Sequence, residues 1–102
     1  MKFTLHAQER WQQRCSHLDL TSELAKAKRA SKRVVNTLRG NWERAQGVGT
    51  WPAHQDYLTT PGGAVLIVCN SIVITVLTVR DIKRWERRRL NEDRLRRKHT
   101  QL

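Results

Sequence analysis

One apolar run, AVLIVCNSIVITVLTV at residues 64–79, limits what this chain can fold into more than any other feature. It carries no charge over 16 residues. It must either cross a membrane or form the middle of a small domain. A spanning helix needs about 20 apolar residues, with a lower limit near 17. The basic flank RDIKRWERRR would suit a cytoplasmic end, so a single-pass membrane protein with a basic cytoplasmic tail is one reading. Three features oppose it. Val, Ile and Thr dominate the run, and stiff β-branched residues favour strands. Asn70-Ser71 interrupts it at the middle, where a polar pair is costly in lipid and natural in a two-residue turn. Pro61-Gly62-Gly63 is turn punctuation just before it. The favoured reading is a hairpin, Ala64–Cys69 and Ile72–Val79, with no membrane partner.

The remaining sequence supplies what packs on that hairpin. Phe3–Leu18 reads as a helix capped by Thr4. Ala7, Trp11, Cys15 and Leu18 share one face, while His6, Arg10, Arg14 and His17 form a stripe about 100° away. Leu20–Leu38 reads as a second helix, capped by Asp19 or Thr21, with an apolar face of Leu20, Leu24, Ala27, Val34 and Leu38. Gly40 is placed to end it. Residues 41–60 are expected to hold short strands near Asn41–Gln46 and Gln55–Thr60. Arg80–Lys98 reads as a C-terminal helix with sparse apolar positions at Ile82, Trp85, Leu90 and Leu95. Segregated helices and strands give an α+β fold: two N-terminal helices on a small antiparallel sheet of two to four strands, followed by a basic C-terminal helix. The 102 residues are enough for one core.

Charge narrows the partners. The net charge is +11, beyond what solubility needs, which points to a polyanion. The C-terminal helix alone has ten basic residues against four acids. Candidate nucleic-acid contacts are Lys32, Arg33, Arg39, Arg84, Arg87 and Arg88. Trp42 and Trp51, in the least regular region, are candidates to stack on unpaired bases, although tryptophans of this kind also serve as core. Cys15 and Cys69 show neither metal spacing nor a disulfide framework, and read as core thiols in a reducing compartment. The opening turns polar after Leu5, unlike a secretory signal. Phosphate-binding glycine loops, zinc spacings and serine-hydrolase elbows are not found in the sequence, and no cofactor is expected.

The N-terminal run FTLHAQERWQQR resembles a small bacterial and phage family that opens F-T-x-H-A-x-x-R-x-x-x-R and closes on a hydrophobic hairpin with a V-x-T-V-like strand. The matching positions are Phe3, Thr4, His6, Ala7, Arg10 and Arg14 at one end, and Ile72–Val79 with Thr75 and Thr78 at the other. The family is similar to the RelE-like toxins, whose fold is shared with microbial ribonucleases. The likeness covers the two ends of the chain. A glycine expected after the second arginine is replaced here by Cys15-Ser16-His17, and the basic tail is additional. The resemblance implies a RelE-like domain over residues 1–79 and a helical extension over 80–102.

It also implies a chemistry: a cytoplasmic, metal-free endoribonuclease toxin, in which the RNA 2′-hydroxyl attacks its own phosphodiester. Such a site needs a base, an acid and cations around the phosphorane. Histidine titrates in the right range, and arginine grips phosphate with a planar fork. His6, Arg10, Arg14 and Thr78 are the catalytic candidates. Glu9 is a further possible base, and His17, His54 or Tyr57 a second acid or base. Each also has an ordinary reading as a cap, a solvated helix charge or a strand residue. The expected partners are RNA, including ribosomal RNA, and an acidic antitoxin or host protein. The alternative is a non-catalytic effector of the same fold that holds nucleic acid or an acidic host protein through its basic C-terminal helix.

Overall fold

The computed structural model describes residues 1–100, with side chains through residue 97. Its elements run β1 (Lys2–Phe3), α1 (Leu5–Cys15), α2 (Leu20–Ala25), β2 (Lys28–Arg29), α3 (Lys32–Gln46), β3 (Asp56–Thr59), β4 (Ala64–Cys69), β5 (Ile72–Thr78) and α4 (Val79–Thr100). The fold is α+β. One five-stranded sheet has the order β1-β5-β4-β3-β2. β1 runs parallel to β5, and the other neighbours are antiparallel.

The apolar run is a hairpin. β4 and β5 pair from Ala64↔Thr78 to Cys69↔Ile72. Asn70 and Ser71 form the turn with φ of 50° and 63°, the doubly left-handed turn that matches strand twist. Ile74 is one extra residue on β5, because Ile67 faces Thr75 while Val68 faces Val73. Both faces of the hairpin are covered, which explains the lack of polar alternation. Ala64, Leu66, Val68, Val73 and Val76 pack against Ala7, Trp11 and Cys15 of α1, with Leu24 of α2 beside them. Val65, Ile67 and Leu77 pack against Leu38 and Val35 of α3 and Ile82 and Trp85 of α4. The sheet therefore lies between two helical layers. Among the described residues, no helix is long and apolar enough to cross a membrane.

Several sequence expectations fail here, and the sheet has five strands where two to four were expected. The second helix does not run from Leu20 to Leu38. It stops at Ala25, and Lys28–Arg29 pairs with Leu58–Thr59 as an edge strand. Ser31 then caps a new helix by accepting from the Val34 N–H at 3.3 Å. That helix runs through Gly40 to Gln46, so Asn41–Gln46 is helical and not a strand. Gly40 sits where α3 meets α4: a Cβ there would lie 3.6 Å from Arg89. Gly47, at φ 106°, ends the helix instead. The boundary expected after Val79 falls inside α4, whose first two turns join the second core; Ile82 is 2% exposed.

Candidate phosphate-binding cleft

Thr4 builds the start of α1 and ties it to β5. Its Oγ1 accepts from the Ala7 N–H at 3.1 Å and donates to the Ile74 carbonyl at 3.3 Å, while its N–H donates to the Val73 carbonyl at 3.0 Å. β1 ends at Phe3, so the rest of β5 has an open edge on that side. α1 lies along this edge. His6 is exposed, with Nε2 3.4 Å from Thr75 Oγ1. One turn on, the Arg10 guanidinium donates to Gln13 Oε1 at 2.9 Å. After another turn, Arg14 donates to the Val76 carbonyl at 2.7 Å, satisfying an edge acceptor that has no strand to pair with.

Beyond Arg14 the helix, the strand end and the start of α4 enclose a cleft of about 570 Å³, lined in part by Arg14, His17, Gly62, Gly63, Thr78, Arg80, Asp81 and Arg84. Thr78 and Asp81 shape its wall as a reciprocal cap. The Asp81 N–H donates to Thr78 Oγ1 at 3.2 Å, and the Thr78 hydroxyl donates to Asp81 Oδ2 at 2.9 Å. This is the start signal of a helix. The opposite wall is set by Glu23, whose Oε2 accepts from the Gly62 N–H at 3.1 Å. A Cβ at position 62 would fall 2.6 Å from the Leu18 side chain and closer still to that of Glu23, so a larger residue would have to displace both. Cys15 borders the cleft; burial pushes its thiol up against the opposing effect of Arg14. It stays a protonated core thiol.

The cleft thus gathers three arginines and a histidine at the electropositive end of a long helix. Of the acids at the cleft, Asp81 is engaged by its cap and Glu23 by the Gly62 N–H. Such a place favours a phosphate group. His6 lies two turns from Arg14, about 12 Å along the axis, so a strand laid along α1 would meet His6, Arg10 and Arg14 in succession.

The fold brings Arg14, Thr78 and Arg84 together with His6 and Arg10 along one line. It sends the other candidates elsewhere. Lys32, Arg33 and Arg39 are on α3, across the sheet. Arg33 pairs with Glu86, its Nε donating to Oε2 at 3.0 Å, and Arg39 pairs with Glu43 at 2.8 Å. The Trp42 indole N–H donates to the Thr50 carbonyl at 3.0 Å. Trp51 stacks on Tyr57 at 5.4 Å and covers the second core, while the exposed Trp42 meets only its edge. Tyr57 faces that core, and burial, then Asp56, holds its hydroxyl above the usual range. His54 is exposed in the loop before β3 with φ 62°. Glu9 borders a separate apolar hollow with Phe3, Leu5 and Trp11. Arg87 and Arg88 are exposed on α4, and Arg87 lies outside the cleft beside Lys83 and Arg84.

Arg80 and the glycine pair were missing from the sequence-level site. Thr78-Val79-Arg80-Asp81 is a legible cap signal and would have placed Arg80 in the first turn of a helix, facing whatever that end holds. Among the described residues, no group of three or more His, Cys, Asp or Glu side chains could hold a metal ion. Comparison with known proteins finds no match among family models, curated proteins or solved structures.

Proposed function

We propose that this chain is a cytoplasmic RNA-binding protein of the RelE-like kind, with its phosphate-binding site in the cleft between α1, β5 and α4. One observation supports this reading above the others. The two segments that carry the resemblance, far apart in sequence, lie against each other and open onto a cleft bearing Arg14, His17, Arg80 and Arg84. The exposed His6 is placed to take a proton from a 2′-hydroxyl. In that step the 2′-oxygen forms a bond to phosphorus, the bond to the 5′-oxygen breaks, and the leaving oxygen takes its proton from water, because His17 lies too far along the chain from His6 to reach the same phosphodiester. Arg10, one turn from His6, stabilises the charge that builds on the phosphorane, and Arg14 in the cleft holds a neighbouring phosphate of the same strand. The products are a 2′,3′-cyclic phosphate and a 5′-hydroxyl. An acidic antitoxin or host protein is the natural counterpart of a +11 chain.

The second reading is a non-catalytic effector of the same fold. Two of the four catalytic candidates favour it, because Arg14 serves the edge of β5 and Thr78 caps α4. The test is incubation of the protein with total RNA in the presence of EDTA, beside a His6→Ala/Arg10→Ala variant. Cleavage by the parent that is lost in the variant supports the nuclease. RNA left intact but retarded equally by both proteins removes the enzymatic step and leaves the binding protein.

A further inference from the structure

The charges of α4 are sorted by face. At 100° per residue, Arg80, Lys83, Arg84, Arg87, Asn91 and Arg94 fall within one strip about 100° wide, and no acid lies within it. The helix's acids are turned elsewhere. Asp81 is engaged by Thr78, Glu86 by Arg33, and Glu92 by Arg44 at 3.1 Å. Asp93 lines a hollow against α3 with Gly40, Arg44 and Arg89. The buried side of the helix, Ile82 and Trp85, points to the second core. The strip lies on the open side of the helix, with the exposed Leu90 and Leu95 at its two edges, and its basic side chains are all exposed.

Its composition selects the partner. A protein interface needs an apolar centre, whereas here the centre is basic and the exposed aliphatic side chains, Leu90 and Leu95, stand apart at opposite edges. Base stacking needs an aromatic platform, and that too is lacking. What the strip offers is positive charge at regular intervals over about 21 Å, the rise of 14 helical residues. That length spans about six stacked nucleotides at roughly 3.4 Å each. It is also continuous with the cleft, because Arg80 and Arg84 border both the cleft and the hollow that runs along Lys83 and Arg87.

We infer that this face of α4 is a second track, for the phosphates of single-stranded RNA leaving the cleft, so that the protein selects RNA by length and not by sequence. The inference rests on the RNA-binding reading above and adds to it where the strand goes.

The test is fluorescence anisotropy with 2′-O-methyl oligouridines of 4 and 16 nucleotides, which cannot be cleaved through the 2′-oxygen. The parent is compared with a Lys83→Gln/Arg87→Gln/Arg94→Gln variant over a range of salt. These three positions are exposed and outside the cleft, and a thermal melt confirms that the variant folds. The expected result is a 16-mer bound about tenfold or more tighter than the 4-mer by the parent, and a variant that loses this preference while holding the 4-mer as before. Its salt slope on the 16-mer should fall by about 2, at roughly 0.7 per phosphate contact. Equal weakening of both oligomers, or of neither, overturns the track while leaving RNA binding in place. A 16-base-pair duplex preferred to the single strand, or polyglutamate that competes as well as RNA, also overturns it. A parent that binds neither oligomer removes the RNA reading itself, and the track with it.

Discussion

Asn70 and Ser71 decide the register of the core, since the hairpin they close supplies both inner faces of the sheet. Both occupy the left-handed region. Asparagine tolerates it well, but serine does not share that preference. Ser71→Gly should therefore stabilise the protein by about 0.5–1 kcal/mol, read as a higher urea midpoint at unchanged slope. A lower midpoint would mean that the turn is held by the serine side chain and not merely strained by it. Legibility at this scale followed local chemistry. Thr4 as a cap, Asn70-Ser71 as a turn, and the shared face of His6, Arg10 and Arg14 could all be read from neighbours in sequence. What Arg14 and Thr78 touch could not. Val76 is 62 residues from Arg14, and no spacing rule connects them.

The elements that sequence misplaced are those whose limits are set from outside. Lys28–Arg29 is a strand because β3 lies beside it, and α3 runs on through Gly40, where α4 packs against it. A two-residue strand has no alternation to detect, and a helical glycine with a packing partner looks like a stop signal. The joint between α3 and α4 is electrostatic as well as apolar. Hydrogen bonding from Arg33 is the main cause that holds the Glu86 carboxyl below its usual range. A depressed carboxylate adds stability that is fully present above its unfolded pKa of about 4.3 and is lost as pH falls through the lower folded value. Melting midpoints of the parent and of Glu86→Gln should thus differ at pH 7 and converge as the solution is acidified below pH 4. The gap should also narrow in high salt, because both partners are at the surface. A difference that stayed constant from pH 7 to 3 would show that the variant acts through packing and not through the ion pair.

At the scale of the whole molecule, the chain is elongated, with extents of 54 × 28 × 22 Å, and α4 accounts for much of the length at about 33 Å. Stability and charge are distributed unequally along that helix. Ile82 and Trp85 join the core within its first two turns, whereas beyond Arg89 Glu92 pairs with Arg44 between half-exposed side chains. An exposed pair of this kind contributes between nothing and about 1 kcal/mol. Ending the chain after Arg89 should accordingly leave the folding free energy within about 1 kcal/mol of the parent, while Ile82→Ala should cost about 2–5 kcal/mol by opening the second core. Chemical denaturation of the two variants side by side checks this. The truncated protein should unfold with the parent's cooperativity, since both cores of the sheet remain intact. If truncation instead cost as much as Ile82→Ala, the distal turns would be part of the fold. Their charges would then have to be explained by what they hold within the molecule, and not by what the molecule binds.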